Sequence, residues 1–565
     1  STAPGPTWGI GKSIGVLDLN LDGRDEILIP QSLLRQNGPG IPPWDGITAL
    51  DQPVSVLRFD AGVGLTVVDM KDASGAPLVT GWVMDASVID FNGDGKLDIL
   101  FSDTGPEVTI NGDMVLDRMR LFTAGTSGPT VSIATQSYPS LAWATARGPA
   151  GYGFWHSSGA GDVNGDGKVD FVALNIQTFV GVPDNLAIFL GDGHGAFTYT
   201  KGLLPTAANT IGAGKTFMPA VLDVADLNGD GVSELVLGIA NFAPDMERES
   251  RVFWNTGTGF SSTFTALPLP PEATITATGH AYKDLYVDRI RTGDLNGDGR
   301  PDLLFMLADG VNDTARWGQV FIQNADRSFT ELNLWPDNRL PQLQTYPQGF
   351  SLEPVDVNGD GMLDIEFTHG SVNTLRDIGK LVWINMGDGT FKLMSEVAPD
   401  AIPNSGFQQW WRFVDLDGDG QAELLTQAST GPRSSVFVSL ALGVDTIQAT
   451  AGTPTAGTIF GDRMLGSSGN DSLSGGLGRD SIEAGAGNDT VSGGSGTDTI
   501  SDGGGTNYLR GDEGNDSITG GSGFDDINGN QGNDTCASGG GDDWVVGGKG
   551  DDSLVGSSGQ NLVYG

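Results

Sequence analysis

The most constraining feature of this chain is a period of nine. From Gly466 to Tyr564 eleven nonapeptides of the form GGxGxDxUx follow one another without a register break. Position 8 is apolar throughout: Leu473, Ile482, Val491, Ile500, Leu509, Ile518, Ile527, Cys536, Val545, Leu554 and Val563. Position 6 is Asp471, Asp480, Asp489, Asp498, Asn507, Asp516, Asp525, Asp534, Asp543, Asp552 and Asn561. Six small or polar residues make a turn, and three residues with one apolar side chain make a short strand. Two nonapeptides then close one coil, and stacked coils line up their position-8 side chains in a thin core. The position-6 carboxylates face each other between coils and repel unless a cation lies there. A core this narrow cannot hold the fold alone, so metal binding and folding are expected to be one event. A degenerate copy, GTIFGDRML, precedes the array at 457–465.

A second motif recurs upstream. DLNLDGRDE (18–26), DFNGDGKLD (90–98), DVNGDGKVD (162–170), DLNGDGVSE (226–234), DLNGDGRPD (294–302), DVNGDGMLD (356–364) and DLDGDGQAE (415–423) start 72, 72, 64, 68, 62 and 59 residues apart. Oxygens at positions 1, 3, 5 and 9, with a carbonyl near position 7, can converge on one hard cation, and Gly at position 6 permits the sharp turn. The donors are Asp18, Asn20, Asp22 and Glu26; Asp90, Asn92, Asp94 and Asp98; Asp162, Asn164, Asp166 and Asp170; Asp226, Asn228, Asp230 and Glu234; Asp294, Asn296, Asp298 and Asp302; Asp356, Asn358, Asp360 and Asp364; and Asp415, Asp417, Asp419 and Glu423. Apolar triplets such as Ile99-Leu100-Phe101 and Leu235-Val236-Leu237 follow the loops and read as strands. Segments such as LAIFLGDGHGAF (186–197) and LVWINMGDGTF (381–391) add a second hairpin to each unit. Seven four-stranded units ending near residue 450 predict an all-β, seven-bladed β-propeller followed by a parallel β-roll.

On these motifs residues 1–450 resemble the FG-GAP/VCBS repeats of integrin-like propellers, and residues 466–565 resemble the RTX, or hemolysin-type, calcium-binding repeats, with 451–465 as a linker carrying the degenerate copy. In the third blade the resemblance implies Asp162, Asn164, Asp166, Asp170 and the Lys168 carbonyl as ligands. Glu26, Glu234 and Glu423 depart from the family's usual Asp, and Leu21 replaces the usual Gly. The resemblance also implies about seven Ca²⁺ ions in the propeller and about eight in the roll, which would offset most of a formal net charge of −41. Loops of this type belong where calcium is abundant, so a secreted or bacterial cell-surface protein is expected. RTX proteins as a family leave through a C-terminal signal. The chain begins at Ser1 without a visible leader and lacks the usual distinct tail after the last repeat, so the export route is open.

The remaining features set limits. The charge disfavours nucleic acid as a partner, and no apolar run is long enough for a transmembrane segment. The one cysteine, Cys536, sits at a core position and reads as a small hydrophobe. GIGKS (9–13) and GAGKT (212–216) lack the first glycine of a phosphate loop. Ahead of three metal loops, GYGFWHSSGAGD, TGHAYKDLYVDRIRTGD and GFQQWWRFVD gather aromatics, His and Arg. His156, Arg289, Arg291 and Arg412 are the catalytic candidates there, and Trp155, Tyr286, Trp410 and Trp411 the candidates for stacking on a ligand. The leading expectation is a calcium-binding structural or adhesion protein. Its propeller would be an interaction face, with a glycan as the candidate ligand, and its roll a folding and self-assembly module. The alternative is an exported carbohydrate-active enzyme of lyase, dehydratase or hydrolase type, with its site at the propeller's channel mouth.

Overall fold

A computed structural model of the chain describes residues 15–18, 26–30, 52–60, 64–71, 79–80, 83–103, 108–110, 113–115, 119–123, 134–138, 155–175, 186–200, 203, 211–212, 215–216, 219–239, 249–277, 285–309, 316–332, 334, 351–368, 375–398, 401–402, 411–416, 422–431, 434–440 and 446–565. They are nearly all β; the helices are single short pieces such as Glu272–Ala277 and Leu375–Lys380.

Upstream of residue 446 the strands form antiparallel sheets of the kind expected for propeller blades. The third runs Trp155–Gly161, Asp170–Asn175, Leu186–Gly191, Phe197–Thr200 in spatial as well as chain order. The fourth and fifth repeat this order from Pro219–Ala225 and from Leu285–Gly293. Each of the five fully described acidic loops is the turn between a sheet's first and second strands in chain order, as its flanking apolar triplets require. Those triplets are the core: Ile99, Leu100, Phe101, Leu235, Val236 and Leu237 are all at most 1% exposed.

The chain divides into two compact units, one of residues 1–353, 367–371 and 429–435, the other of 354–366, 372–428 and 436–565. Within the second unit the acidic loop 356–364 touches the solenoid: a Cβ built on Gly478 would meet the Asn358 carbonyl at 2.9 Å.

The solenoid runs from Thr446 to Tyr564 as two seven-stranded parallel sheets. Register advances by 18 residues, two nonapeptides per coil: Leu473 pairs with Val491, Val491 with Leu509, and Leu509 with Ile527. On the other sheet Ile500, Ile518, Cys536 and Leu554 are in line. Between the sheets these side chains form one core with Ile482, Val491 and Val545. Residues 451–465, expected as a linker, already build rungs, because Pro454–Ala456 pairs with Ser472–Ser474 and Arg463–Leu465 with Ser481–Glu483. The degenerate copy keeps what a rung needs, Met464 in the core and Asp462 at position 6.

Candidate metal centres

In the solenoid each position-6 carboxylate divides its two oxygens between different tasks. Oδ1 of Asp480 accepts the backbone N–H of Asp462, 18 residues earlier, at 2.7 Å. Asp489, Asp498, Asp516, Asp534 and Asp552 do the same for Asp471, Asp480, Asp498, Asp516 and Asp534 at 2.8–2.9 Å. Oδ2 of Asp480, Asp489, Asp498, Asp516, Asp525, Asp534 and Asp543 is buried without a hydrogen-bond partner, as is Oδ1 of Asp471. A file of buried, unpartnered carboxylate oxygens is costly unless a cation satisfies it. Burial pushes Asp480 and Asp516 up to about 8 and Asp498 up to about 7, with neighbouring carboxylates adding to the rise in each. The space beside these oxygens is held open by glycine. A Cβ on Gly475 would collide with Asp480 Oδ2 and the Gly493 carbonyl, and one on Gly511 with Asp516 Oδ2. The donors suit a hard oxygen-loving cation held by paired carboxylates and backbone carbonyls. Among the described residues no three His, Cys, Asp or Glu side chains converge into a site made of side chains alone.

One rung differs. Asn507 stands at position 6, and its Nδ2 donates to Asp502 Oδ2 at 2.7 Å and Asp525 Oδ1 at 2.8 Å. Its Oδ1 still accepts the Asp489 N–H at 2.9 Å. An amide donor therefore bridges two carboxylates. Asp502, which takes the place of a motif glycine, restores the negative charge that Asn507 gives up.

The upstream loops fold back on their own first residue. Asp162 Oδ1 accepts N–H groups from Asn164 and Gly165, and its Oδ2 accepts from Gly167 at 2.6 Å. Asn164 Oδ1 accepts from Asp166, and Asp166 Oδ1 from Lys168. Gly165 and Gly167 have φ of +74° and +77°, so the turn needs glycine there. Asp90, Asp226, Asp294 and Asp356 gather the equivalent N–H groups of their own loops.

Position 9 is a brace as well as an expected ligand. Asp170 Oδ2 accepts from Val163 at 3.0 Å and Oδ1 from Gly191 at 2.8 Å. The second bond joins the loop to the blade's other hairpin. Glu234 reaches Leu227 and Asn255, Asp302 reaches Leu295 and Gln323, and Asp364 reaches Val357 and Asn385. The far partner lies 21 residues on in every case. Burial raises Asp170 and Asp302 to about 6 and Glu234 to about 7. The side chains at two of these partners also reach the preceding blade: Asn255 Nδ2 donates to the Val163 carbonyl and Gln323 Nε2 to the Leu227 carbonyl. Asn255 and Gln323 were not singled out from the sequence. The constant offset of 21 was the signal that could have found them.

Asp98, Asp360 and Glu423 are described in their loops, with Asp98 accepting the Phe91 N–H and Glu423 the Leu416 N–H. Asn20, Asp22, Asp417 and Asp419 lie outside the described residues, and Glu26 is described only as the start of Glu26–Pro30.

Of the aromatic and basic candidates, those whose side chains are described are partly or wholly buried. Trp411 is fully buried, edge-to-face with Phe413 at 6.0 Å, which puts it in the sheet's packing and not on a stacking face. Arg412 is buried 3.7 Å from Glu366, and Arg291 pairs with Glu353 at 2.7 Å. Arg289 is 4% exposed. Arg289 and Arg291 border a cavity of about 270 Å³ with Ser158 and Asp223, on first strands that pack side by side. Tyr286 is partly buried in the strand Leu285–Gly293, Trp410 lies outside the described residues, and Trp155 and His156 are described in their backbone alone. That backbone bulges at His156, six residues before Asp162. The same irregularity falls six residues before Asp90, Asp226 and Asp294.

Models of known families match both repeat types. FG-GAP-like repeats match residues 162–237, 226–305 and 294–365, and the RTX calcium-binding nonapeptide repeat matches 465–500, 501–536 and 538–565. The chain joins FG-GAP-like repeats to RTX calcium-binding repeats. The RTX match assigns Ca²⁺ to the solenoid, where the unpartnered oxygens lie. A curated relative, the T-cell immunomodulatory protein homolog of Plasmodium yoelii yoelii, is 28% identical over 151 residues, 23% of this chain and 20% of that protein. The chain thus matches about one fifth of its length. Among solved structures, an Agrocybe aegerita lectin studied for recognition of non-reducing terminal N-acetylglucosamine aligns over 69% of this chain and 88% of its own, at 17% identity and a TM-score of 0.38. BBS1N in complex with ARL6DN aligns over 75% and 90%, at 10% identity and a TM-score of 0.33. No described helix is long and apolar enough to cross a membrane.

Proposed function

We propose that this is a calcium-loaded structural or adhesion protein working outside the cell, with a propeller over residues 1–450 as its interaction face and the solenoid as its calcium-dependent folding and assembly module. The observation that carries the reading is the file of buried carboxylate oxygens, one per rung from Asp471 to Asp543 with the exception of Asn507. A cation bound among these oxygens offsets the cost of burying them as carboxylates and so couples binding to folding. Position-6 carboxylates and turn carbonyls hold about eight Ca²⁺ ions in the roll. Positions 1, 3, 5 and 9 of the loops, with the position-7 carbonyl, hold about seven more. Extracellular calcium modules bind at about 10⁻⁴–10⁻³ M, far above cytosolic levels, which supports a place outside the cell.

The pairing of Arg291 with Glu353 and of Arg412 with Glu366 supports an interaction role over an enzymatic one. The test is a calcium titration of the chelated protein followed by circular dichroism and calorimetry. A cooperative gain of solenoid β structure in the millimolar range is expected, with about fifteen ions bound in all. A solenoid that keeps its β signal in EGTA near pH 8 would refute the coupling.

A further inference from the structure

On one sheet of the solenoid the rungs carry side chains that neither the core nor the calcium sites use. Tyr508, Asp526, Trp544 and Leu562 stand in register on consecutive rungs at position 7. Tyr508 is 47% and Trp544 53% exposed, although large aromatics normally seek cover. The Arg510 guanidinium lies over the Tyr508 ring, 3.3 Å from its centre, and the residue is still about half exposed. Arg510 is in turn held by Asp526 at 3.1 Å. Phe524 meets Trp544 edge-to-face at 5.8 Å.

The same strands continue into a groove of about 740 Å³, walled on its far side by Met386, Gly387 and Asp388. Its floor is a polar ladder along the solenoid axis. Glu513 accepts from Ser495 at 3.1 Å and from Gln531 at 3.4 Å, and Lys549 donates to Gln531 at 3.3 Å. Beside it Asp512 and Asn530 adopt φ of +79° and +77° at positions where the repeat has glycine. These two positions therefore carry backbone strain while placing polar side chains in the groove.

We propose that this face binds an extended neutral polysaccharide. Sugar rings present C–H faces to aromatic rings and hydroxyl edges to planar polar groups, and this face offers both, repeated along one axis. Tyr508 and Trp544 are two rungs apart, about 9.6 Å at the usual strand spacing, a span of roughly two sugar rings in an extended chain. The polar ladder steps from coil to coil along the solenoid axis, which suits a polymer. The groove's carboxylates, Asp388, Asp512 and Glu513, outnumber Lys549, so it repels polyanions and equally a second copy of itself. The proposal deepens the adhesive reading above, on which it rests, by naming the ligand class and moving the contact to the solenoid.

The test uses the full chain at millimolar Ca²⁺. Cellohexaose, chitohexaose, laminarihexaose and maltohexaose are titrated by calorimetry and tryptophan fluorescence, with alginate and heparin as polyanions. At least one neutral hexamer is expected to bind. Tyr508→Ala and Trp544→Ala should each weaken it about tenfold and leave the calcium count unchanged, since both rings are exposed. No binding by any neutral hexamer to a calcium-loaded, folded chain would overturn the proposal and leave the calcium-dependent role standing. Preference for alginate or heparin would also overturn it, as would binding indifferent to both rings. So would a self-associated wild type that Trp544→Ala dissociates in sedimentation, which would assign the face to a second copy.

Discussion

Asp498 accepts the backbone N–H of Asp480 through Oδ1 at 2.8 Å, while its Oδ2 is buried without a hydrogen-bond partner. One carboxylate thus serves both as a rung-to-rung strut and as an uncompensated charge. The first task needs no metal; the second makes the solenoid depend on one.

This division makes the calcium-free solenoid sensitive to pH in an unusual direction. Asp480 and Asp516 are raised to about 8 and Asp498 to about 7 by burial, against an ordinary value of 3.8. The folded state therefore holds protons that the unfolded chain gives up, and the associated stability is complete below about pH 4 and lost as pH rises toward 8. Stripped of calcium by ion exchange, the solenoid should be more β-structured near pH 4.5 than near pH 8, by circular dichroism. With Ca²⁺ the order should reverse, because protons and Ca²⁺ compete for the same oxygens. A stripped solenoid insensitive to pH would refute the assignment of these oxygens.

Asn507 supplies a comparison already built into the chain. Asn507→Asp removes the amide that bridges Asp502 and Asp525 and places a third carboxylate among them. The variant should need more calcium to fold, and calorimetry should count at least one more ion. Asp498→Asn should do the opposite, losing an ion but weakening the pH dependence of the stripped chain.

In the third blade the brace and the loop separate by position. Asp170→Ala leaves the Val163 and Gly191 N–H groups buried without their acceptor, a cost of about 2–5 kcal/mol with or without calcium. Asp166 is exposed, and its pairing with Lys168 at 3.7 Å contributes less than about 1 kcal/mol. Asp166→Ala should therefore be nearly silent in EGTA and lower stability only when calcium is present, with the blades still assembled. Urea unfolding in both conditions distinguishes the two.

Cys536 reports on solenoid folding. It is fully buried in the core, and burial pushes its thiol up to about 12, so the thiolate is scarce at neutral pH. A thiol reagent should leave it unmodified in calcium and label it within minutes of chelation. Labelling at equal rates would place Cys536 outside the core.

What the sequence determined by itself is whatever repeats. A fixed period writes the same local contact again at every turn. The core ladder from Leu473 to Val545, the inward position-6 carboxylates and the strand–loop–strand setting of each acidic loop all followed from spacing. The tertiary structure decided whatever joins parts that do not repeat together. It set the reach from Asp170 to Gly191, buried Trp411 against Phe413, and drew Arg291 to Glu353, where the sequence offered only a plausible ring of open side chains. It also began the solenoid at Thr446, because a rung tolerates a poor motif as long as one apolar side chain faces in and one carboxylate meets the next coil. These outcomes depend on where distant backbones bring single side chains, and a side chain that occurs once leaves no period to read.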